Sequence, residues 1–181
     1  ARQCAARGLS GLEWAAGIPG TVGGAIYGNA GAHGSDIAAW LQLAEILHDD
    51  GRVKRWDVSE LSFGYRTSAL KRARAAGQGG HVVLAAEFAL VRRDPAECLE
   101  RMDTWTAYRR RTQPPGASLG SMFKNPPGDY AGRLIEAAGL KGLKVGGAEI
   151  SPVHANFFLN TGEARAADVF ALIHQARRFR S

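Results

Sequence analysis

Between Gly17 and Gly34 the chain reads GIPGTVGGAIYGNAGAHG. Gly17, Gly20, Gly23, Gly24, Gly28 and Gly31 let backbone N–H groups come close to a ligand, Pro19 stiffens the loop, and Thr21 and Asn29 add polar handles. A ligand with a flat ring and phosphate groups needs such a surface. The spacing is not GxGxxG and no clear strand precedes it, which disfavours a Rossmann dinucleotide fingerprint; it is not the GxxxxGKS/T phosphate loop either. Tight backbone packing is the other reading that these residues allow on their own.

A chain of 181 residues, 45% hydrophobic and 22% charged, buries a real core as one large or two small domains. No apolar run approaches the roughly 20 residues that span a bilayer, and the start Ala1-Arg2-Gln3-Cys4 carries no signal-peptide pattern. No membrane partner and a cytoplasmic location are therefore expected. Cys4 and Cys98 are too few and too far apart for a disulfide framework, a CxxC pair or a thiolate metal site, and read as small hydrophobes. The histidines show no metal spacing, so no metal is expected. A net charge of +6 suits an anionic partner or a solubilising surface. The densest basic runs, Arg109-Arg110-Arg111 and Arg177-Arg178, fall at the ends of expected helices, where the helix dipole favours cations. No aromatic-basic interleaving of the kind that stacks bases is present, so no nucleic-acid partner is expected.

Strands and helices alternate along the chain. Ala44 to Leu47 and Val53 to Trp56 predict a hairpin across Asp49-Asp50-Gly51, and Val82 to Leu90 a further strand. Asp94 then caps a helix with Pro95 at its first position, Glu97 returning a bond, and Cys98, Met102 and Trp105 on the buried face. Gln113-Pro114-Pro115-Gly116 breaks the chain. Beyond it, Asp129 is expected to cap a helix bearing Leu134, Ile135 and Ala138, with Gly139 ending it in a left-handed turn. Phe157-Phe158-Leu159 predicts a buried strand, and a last helix carries Val169, Phe170, Leu172, Ile173 and Ala176 on one stripe. That stripe meets no stop signal before Ser181, and the chain starts without methionine, which suggests part of a longer protein.

Two further runs carry chemistry. Phe63 to Ser68 reads FGYRTS, where Leu61 and Phe63 look like buried anchors before Arg66, a guanidinium able to fork onto a carboxylate. Gly120 to Pro126 reads GSMFKNP, a short loop that sets a hydroxyl, an ammonium and an amide together at Ser121, Lys124 and Asn125. No histidine neighbours Ser121, which argues against a nucleophile and leaves proton donation open.

Taken in order, GIPGTVGGAIYGNAGAHG, FGYRTS and GSMFKNP resemble the flavin-dependent UDP-N-acetylenolpyruvoylglucosamine reductases, over nearly the whole chain. The resemblance implies an α+β fold: an FAD-binding lobe of the oxidase type over residues 1–93, then an α+β substrate-binding lobe over 94–181. It places Gly17, Pro19, Gly20, Thr21, Gly23, Gly24, Asn29, Ala30 and Gly31 around FAD. Arg66 becomes the catalytic arginine that stabilises enolate-like charge, and Ser121 the proton donor. Lys124, Asn125, Lys141 and His154 fall where the family contacts its substrate, a UDP-sugar enolpyruvyl ether.

The implied reaction has two halves, in which NADPH reduces FAD and hydride then passes from the flavin to the enolpyruvyl carbon. The product is UDP-N-acetylmuramate, for peptidoglycan. A monomer is expected. No long insertion carrying a nucleotide-clamping tyrosine lies between FGYRTS and GSMFKNP, so the chain resembles the branch without it, and Tyr108 is not given that task. An amino-terminal flavin-binding portion and a carboxy-terminal catalytic glutamate are expected outside these residues; neither Glu149 nor Glu163 sits in that motif. Two alternatives remain: another flavin oxidoreductase on the same FAD-binding lobe, or a basic module that binds nucleic acid.

Overall fold

The computed structural model describes residues 1–178, and the expectation about Ser181 lies outside them. The chain divides into two compact units, Ala1–Ala107 and Tyr108–Ser181, with the division inside a long helix. Both units combine antiparallel sheets with helices, as an α+β chain should.

The first unit opens with α1 (Arg2–Ala5) and β1 (Leu9–Ser10), followed by a single 3-10 turn at Glu13–Ala15. The glycine run is not a loop throughout. Val22–Gly28 forms α2, because the Thr21 hydroxyl caps it by accepting the Gly24 N–H at 3.0 Å and because Ile26 plugs it into the core. Glycine is a poor helix former, so tertiary packing overrides propensity here. A Cβ on Gly23 would stand 3.4 Å from Val83, in ordinary van der Waals contact with the strand that carries it. Asn29 ends α2 in the left-handed region at φ 47°.

A two-residue hairpin follows, β2 (Gly31–Ala32) against β3 (Ser35–Asp36), turned by His33 and Gly34 at φ 53° and 77°. The hairpin expected around Gly51 is β4 (Leu41–Leu47) and β5 (Val53–Asp57), with Gly51 at φ 79° and its N–H bonded to His48 C=O at 2.9 Å. Next come α3 (Val58–Leu61), held by a capping box between Asp57 and Glu60, and α4 (Ala69–Ala75), capped by Ser68. The strand expected to reach Leu90 stops earlier: β6 is Val82–Phe88, and β7 (Val91–Arg92) leaves the sheet to pair with β1. β4 is the centre of the sheet β5-β4-β6, and its inward residues Leu41, Ala44 and Ile46 meet Ile26, Leu61 and Leu70 in the main core.

α5 (Pro95–Thr112) starts as the Asp94-Pro95 pair predicts, with the Asp94 carboxylate accepting the Ala96 N–H at 2.7 Å. Cys98 and Met102 pack on Ala5 and Ala16 in a second small core, and Trp105 stacks on His33 at 4.0 Å. Both cysteines are free.

In the second unit β8 (Ala117–Ser121) is followed by α6 (Ala131–Ala137), β9 (Lys144–Val145), β10 (Ala148–Ile150), β11 (Phe157–Asn160) and α7 (Ala166–Arg178). The strands form one antiparallel sheet ordered β8-β11-β10-β9, and Ile135, Ile150, Phe158 and Leu172 build its core with α6 and α7. Two helix expectations are corrected. Tyr130, not Asp129, is the N-cap residue of α6; the Asp129 carboxylate instead accepts the Tyr130 N–H and pairs with Arg133, which holds it down at about 2. Phe170 is 62% exposed. At about 100° per residue it lies roughly 160° around α7 from Leu172, so the stripe is Val169, Leu172, Ile173 and Ala176, and Phe170 packs on His174 instead. Gly139 ends α6 in the left-handed region as expected. Among the described residues no helix is long and apolar enough to cross a membrane.

Candidate functional site

Each unit holds one candidate site. In the first, a cavity of about 470 Å³ opens between the 3-10 turn, α2 and the end of β6. Trp14, Ile18, Ile37 and Phe88 give it apolar walls, and the backbone from Pro19 to Thr21 forms one side. Of the expected cofactor contacts, Pro19, Gly20, Thr21, Gly24 and Ala30 line this cavity. Gly17, Gly23, Asn29 and Gly31 do not. A Cβ on Gly24 would meet only the Thr21 hydroxyl, at 3.3 Å. The combination of aromatic walls, bare backbone and open space suits a flat heteroaromatic ring.

The other residues of the run build what surrounds the cavity. Asn29 is buried and its amide is fully engaged, donating to Asp36 and to Gly64 C=O at 3.1 Å each and accepting the Ala38 N–H at 3.1 Å. Replacing Asn29 with Ala strands these partners and keeps an unfavourable φ, so stability should fall by about 2 kcal/mol. A urea unfolding midpoint within error of the parent protein would refute that. Gly31 has no room for a side chain: a Cβ would come within 2.7 Å of Asp36 and 3.0 Å of the Arg66 guanidinium.

That guanidinium joins FGYRTS to the glycine run. Arg66 donates to Asn29 C=O at 3.4 Å and to Gly31 C=O, at the tip of a tight turn closed by Gly64 and Thr67. Arg66 has φ 55°, and Lys71 Nζ bonds its carbonyl at 3.2 Å. Leu61 is fully buried and Phe63 partly so, the anchors expected ahead of it. A charged residue held in the left-handed region by its neighbours is the type of strain found at working sites.

The second site is a cleft of about 430 Å³ lined by Ser121, Asn125, Tyr130, Arg133, Glu136 and His154 among others. Three expected residues, Ser121, Asn125 and His154, thus meet there across distant stretches of sequence. Lys141 reaches the same wall, its ammonium 2.7 Å from Glu136. Lys124 does not line the cleft.

GSMFKNP is not wholly a loop, because Gly120 and Ser121 end β8. Ser121 pairs with Phe157 while Ser118 pairs with Leu159, so β8 carries one extra residue, and Gly120 absorbs it at φ 82°. This bulge sets the exposed Ser121 on the cleft at the end of the strand. Asn125 accepts the Ala131 N–H at 3.1 Å and so serves the first turn of α6.

Asn156 was not anticipated as a site residue, although it stands two residues after His154. Its buried amide accepts the Phe123 N–H and donates to the Phe123 C=O, both at 2.9 Å, and its carbonyl accepts the Met122 N–H at 2.7 Å. Ser151, buried, accepts the Val153 and His154 N–H groups. Trp14 and Phe88 were missed in the first site. Glu13 does not line the cavity but stands just ahead of the glycine run, where its carboxylate accepts the Gly11 N–H at 2.7 Å. Burial pushes Glu13 up, but hydrogen bonds from Ser10 and Gly11 outweigh it and leave the carboxyl below its ordinary range.

Burial lowers the His154 pKa, with the Lys141 charge acting the same way, against a hydrogen bond to the residue's own backbone and the Glu136 charge. Its unfolded value is about 6.5, so the stability it contributes is whole above that pH and is lost as pH falls through the lower folded value. The pH profile of unfolding should therefore lose part of its acid limb in His154→Asn, and an unchanged profile would contradict the lowered pKa.

Both ends of the chain match known families. Residues 1–57 match the model described as FAD binding domain, and residues 112–179 that described as UDP-N-acetylenolpyruvoylglucosamine reductase, C-terminal domain. Curated UDP-N-acetylenolpyruvoylglucosamine reductases from Chloroflexus aggregans and Bacillus subtilis are 55% and 46% identical, over 98% and 95% of this chain. The chain belongs to the UDP-N-acetylenolpyruvoylglucosamine reductase family. The crystal structure of the reductase (MurB) from Thermus caldophilus superposes with a TM-score of 0.88 at 42% identity, over 98% of this chain and 63% of that one. The chain spans 59% and 55% of the length of the two curated reductases.

Proposed function

We propose that this chain supplies the flavin cavity and the proton-donating cleft of an FAD-dependent, NADPH-consuming reductase. Its substrate is UDP-N-acetylglucosamine enolpyruvate and its product UDP-N-acetylmuramate, in cytoplasmic peptidoglycan precursor synthesis. In this reading residues 1–93 form the FAD-binding part and 94–181 the substrate-binding part. The observation that carries it is the convergence of Ser121, Asn125 and His154 on one cleft, beside a bulge that exposes the serine hydroxyl.

Bound FAD would supply the hydride chemistry that links NADPH to the enolpyruvyl carbon. The residues present fit it: Pro19, Gly20, Thr21, Gly24 and Ala30 line a cavity walled by Trp14 and Phe88 and would hold the cofactor there. Arg66 stabilises the negative charge that spreads onto the substrate carboxylate, because its guanidinium is already fixed by two backbone carbonyls and needs little reorganisation. Ser121 gives its proton to the carbon next to the one that receives hydride. Asn125, towards the diphosphate, and His154 line the cleft that takes the nucleotide sugar. Lys141, paired with Glu136 on the cleft wall, and Lys124, outside it, are the further substrate contacts of this reading.

The FAD-loaded enzyme should oxidise NADPH beyond one equivalent per flavin only when the UDP-sugar enolpyruvyl ether is present, and mass spectrometry should show that substrate gaining two hydrogens. Bound flavin with NADPH oxidation but no change in the UDP-sugar would favour a different flavin oxidoreductase. No flavin and salt-sensitive RNA binding would favour the nucleic-acid module.

The cavity assignment has its own test. In Gly24→Leu the helix loses a weak former and the cavity gains a side chain, so stability should hold while FAD affinity falls by about tenfold or more. Flavin fluorescence titration and thermal melting read the two separately, and unchanged affinity would remove Gly24 from the cofactor wall.

A further inference from the structure

His154 lies in the cleft, but its strongest link leads away from it. Its Nδ1 accepts the Asn156 N–H at 3.2 Å, which leaves the ring proton on Nε2. Asn156 in turn grips Met122 and Phe123 through three hydrogen bonds of 2.7–2.9 Å, and Met122 directly follows Ser121. Ser121 is thus fixed on one side by Gly120 and the bulge, and on the other by a clamp whose own backbone hangs on the histidine.

The ring has little freedom to leave this position. A Cβ on Gly132 of α6 would come within 2.9 Å of His154 Cε1, and the Phe157 ring lies edge-on at 4.9 Å. The main chain that carries the ring is held by Ser151, which accepts the His154 backbone N–H at 3.3 Å. Lys141 and Glu136 act on the ring as charges, and Arg133, Asn125, Tyr130 and Ser121 share its cleft.

We propose that His154 is a positioning residue for Ser121: as a neutral acceptor at Nδ1 it holds Asn156, whose backbone carbonyl on Met122 and side-chain amide on Phe123 set where the serine hydroxyl stands. The link to turnover rests on the proton-donor role proposed above for Ser121. A proton on Nδ1 turns the acceptor into a donor facing the Asn156 N–H, and the two donors repel. The clamp then slackens and Ser121 loses its register with the cleft. Acid is expected to act through this chain of bonds, so the loss appears in the step that uses Ser121 and not in reduction of FAD by NADPH.

Three variants and two kinds of measurement test this. Side-chain nitrogen NMR of His154 at neutral pH should show an unprotonated Nδ1. In His154→Ala the Phe123 amide should exchange with solvent about tenfold faster, as expected on loss of one supporting hydrogen bond. His154→Asn, which places a side-chain oxygen near the same donor and does not titrate, should restore most of that protection and keep it in mild acid. Asn156→Ala should lose the protection at every pH. On the FAD-loaded enzyme, His154→Ala should lower kcat for the UDP-sugar about tenfold with flavin reduction unchanged. His154→Asn should recover it with a flatter acid limb. A protonated Nδ1, or Phe123 protection unchanged in His154→Ala, overturns the proposal. Loss of protection with no UDP-sugar turnover in any variant, parent included, supports the positioning and refutes the reductase reading instead.

Discussion

Ser121→Ala is expected to lower the rate of UDP-N-acetylglucosamine enolpyruvate reduction by about 10²-fold or more, the contribution of a positioned proton donor. The change removes one oxygen at an exposed strand end where, among the described residues, no hydrogen bond to the Ser121 side chain is seen, so folding should be almost untouched. Flavin content and NADPH-driven flavin reduction should stay within a few-fold of the parent. Ser121→Cys, a weaker donor of similar size, should recover part of the loss. Rapid mixing of pre-reduced enzyme with substrate isolates the step. Turnover of Ser121→Ala within a few-fold of the parent would reduce GSMFKNP to a strand end followed by a turn.

Arg66→Ala should produce a loss of comparable size, roughly 10²- to 10³-fold, confined to the same half-reaction. Only that half builds charge beside a carboxylate. The guanidinium is also the brace between FGYRTS and the Asn29 and Gly31 carbonyls, so some loss of thermal stability should accompany the kinetic effect. Arg66→Lys should rescue little, since one ammonium cannot span two carbonyls and still present a fork to the substrate. Equal losses in both half-reactions would make Arg66 a support of the flavin cavity and not of the chemistry.

The parts of this fold that were legible in sequence are those fixed by local chemistry. Asp50-Gly51 specifies the β4–β5 hairpin because its turn needs a positive φ, and Asp94-Pro95 starts α5 for equally local reasons. Gly139 ends α6 on the same logic. What sequence hid depends on tertiary contact. The glycine run reads as loop because glycine weakens helices, yet Ile26 in the core and the Thr21 cap make Val22–Gly28 helical. Nothing local distinguishes Asn156 from a surface amide; its partner Phe123 lies 33 residues away. Phe170 could have been placed correctly from angular spacing alone.

At the candidate sites, the sequence indicated which residues come together more plainly than what each of them bonds. Ser121, Asn125 and His154 share a cleft, but Asn125 also caps α6 and His154 holds Asn156. Asn29, expected to contact the cofactor, spends its amide on Asp36, Gly64 and Ala38. Short motifs reveal which side chains are needed and leave open whether a ligand or the backbone receives their hydrogen bonds.

The most direct test of the reductase reading is spectroscopic. Under anaerobic conditions the FAD-loaded enzyme is reduced with one equivalent of NADPH, excess nucleotide is removed, and UDP-N-acetylglucosamine enolpyruvate is added. The reductase reading predicts that the visible flavin band bleaches in the first step and returns in the second, with one UDP-N-acetylmuramate formed for each flavin reoxidised. A flavin that stays reduced after the UDP-sugar is added, in an enzyme that accepts electrons from NADPH, would contradict it.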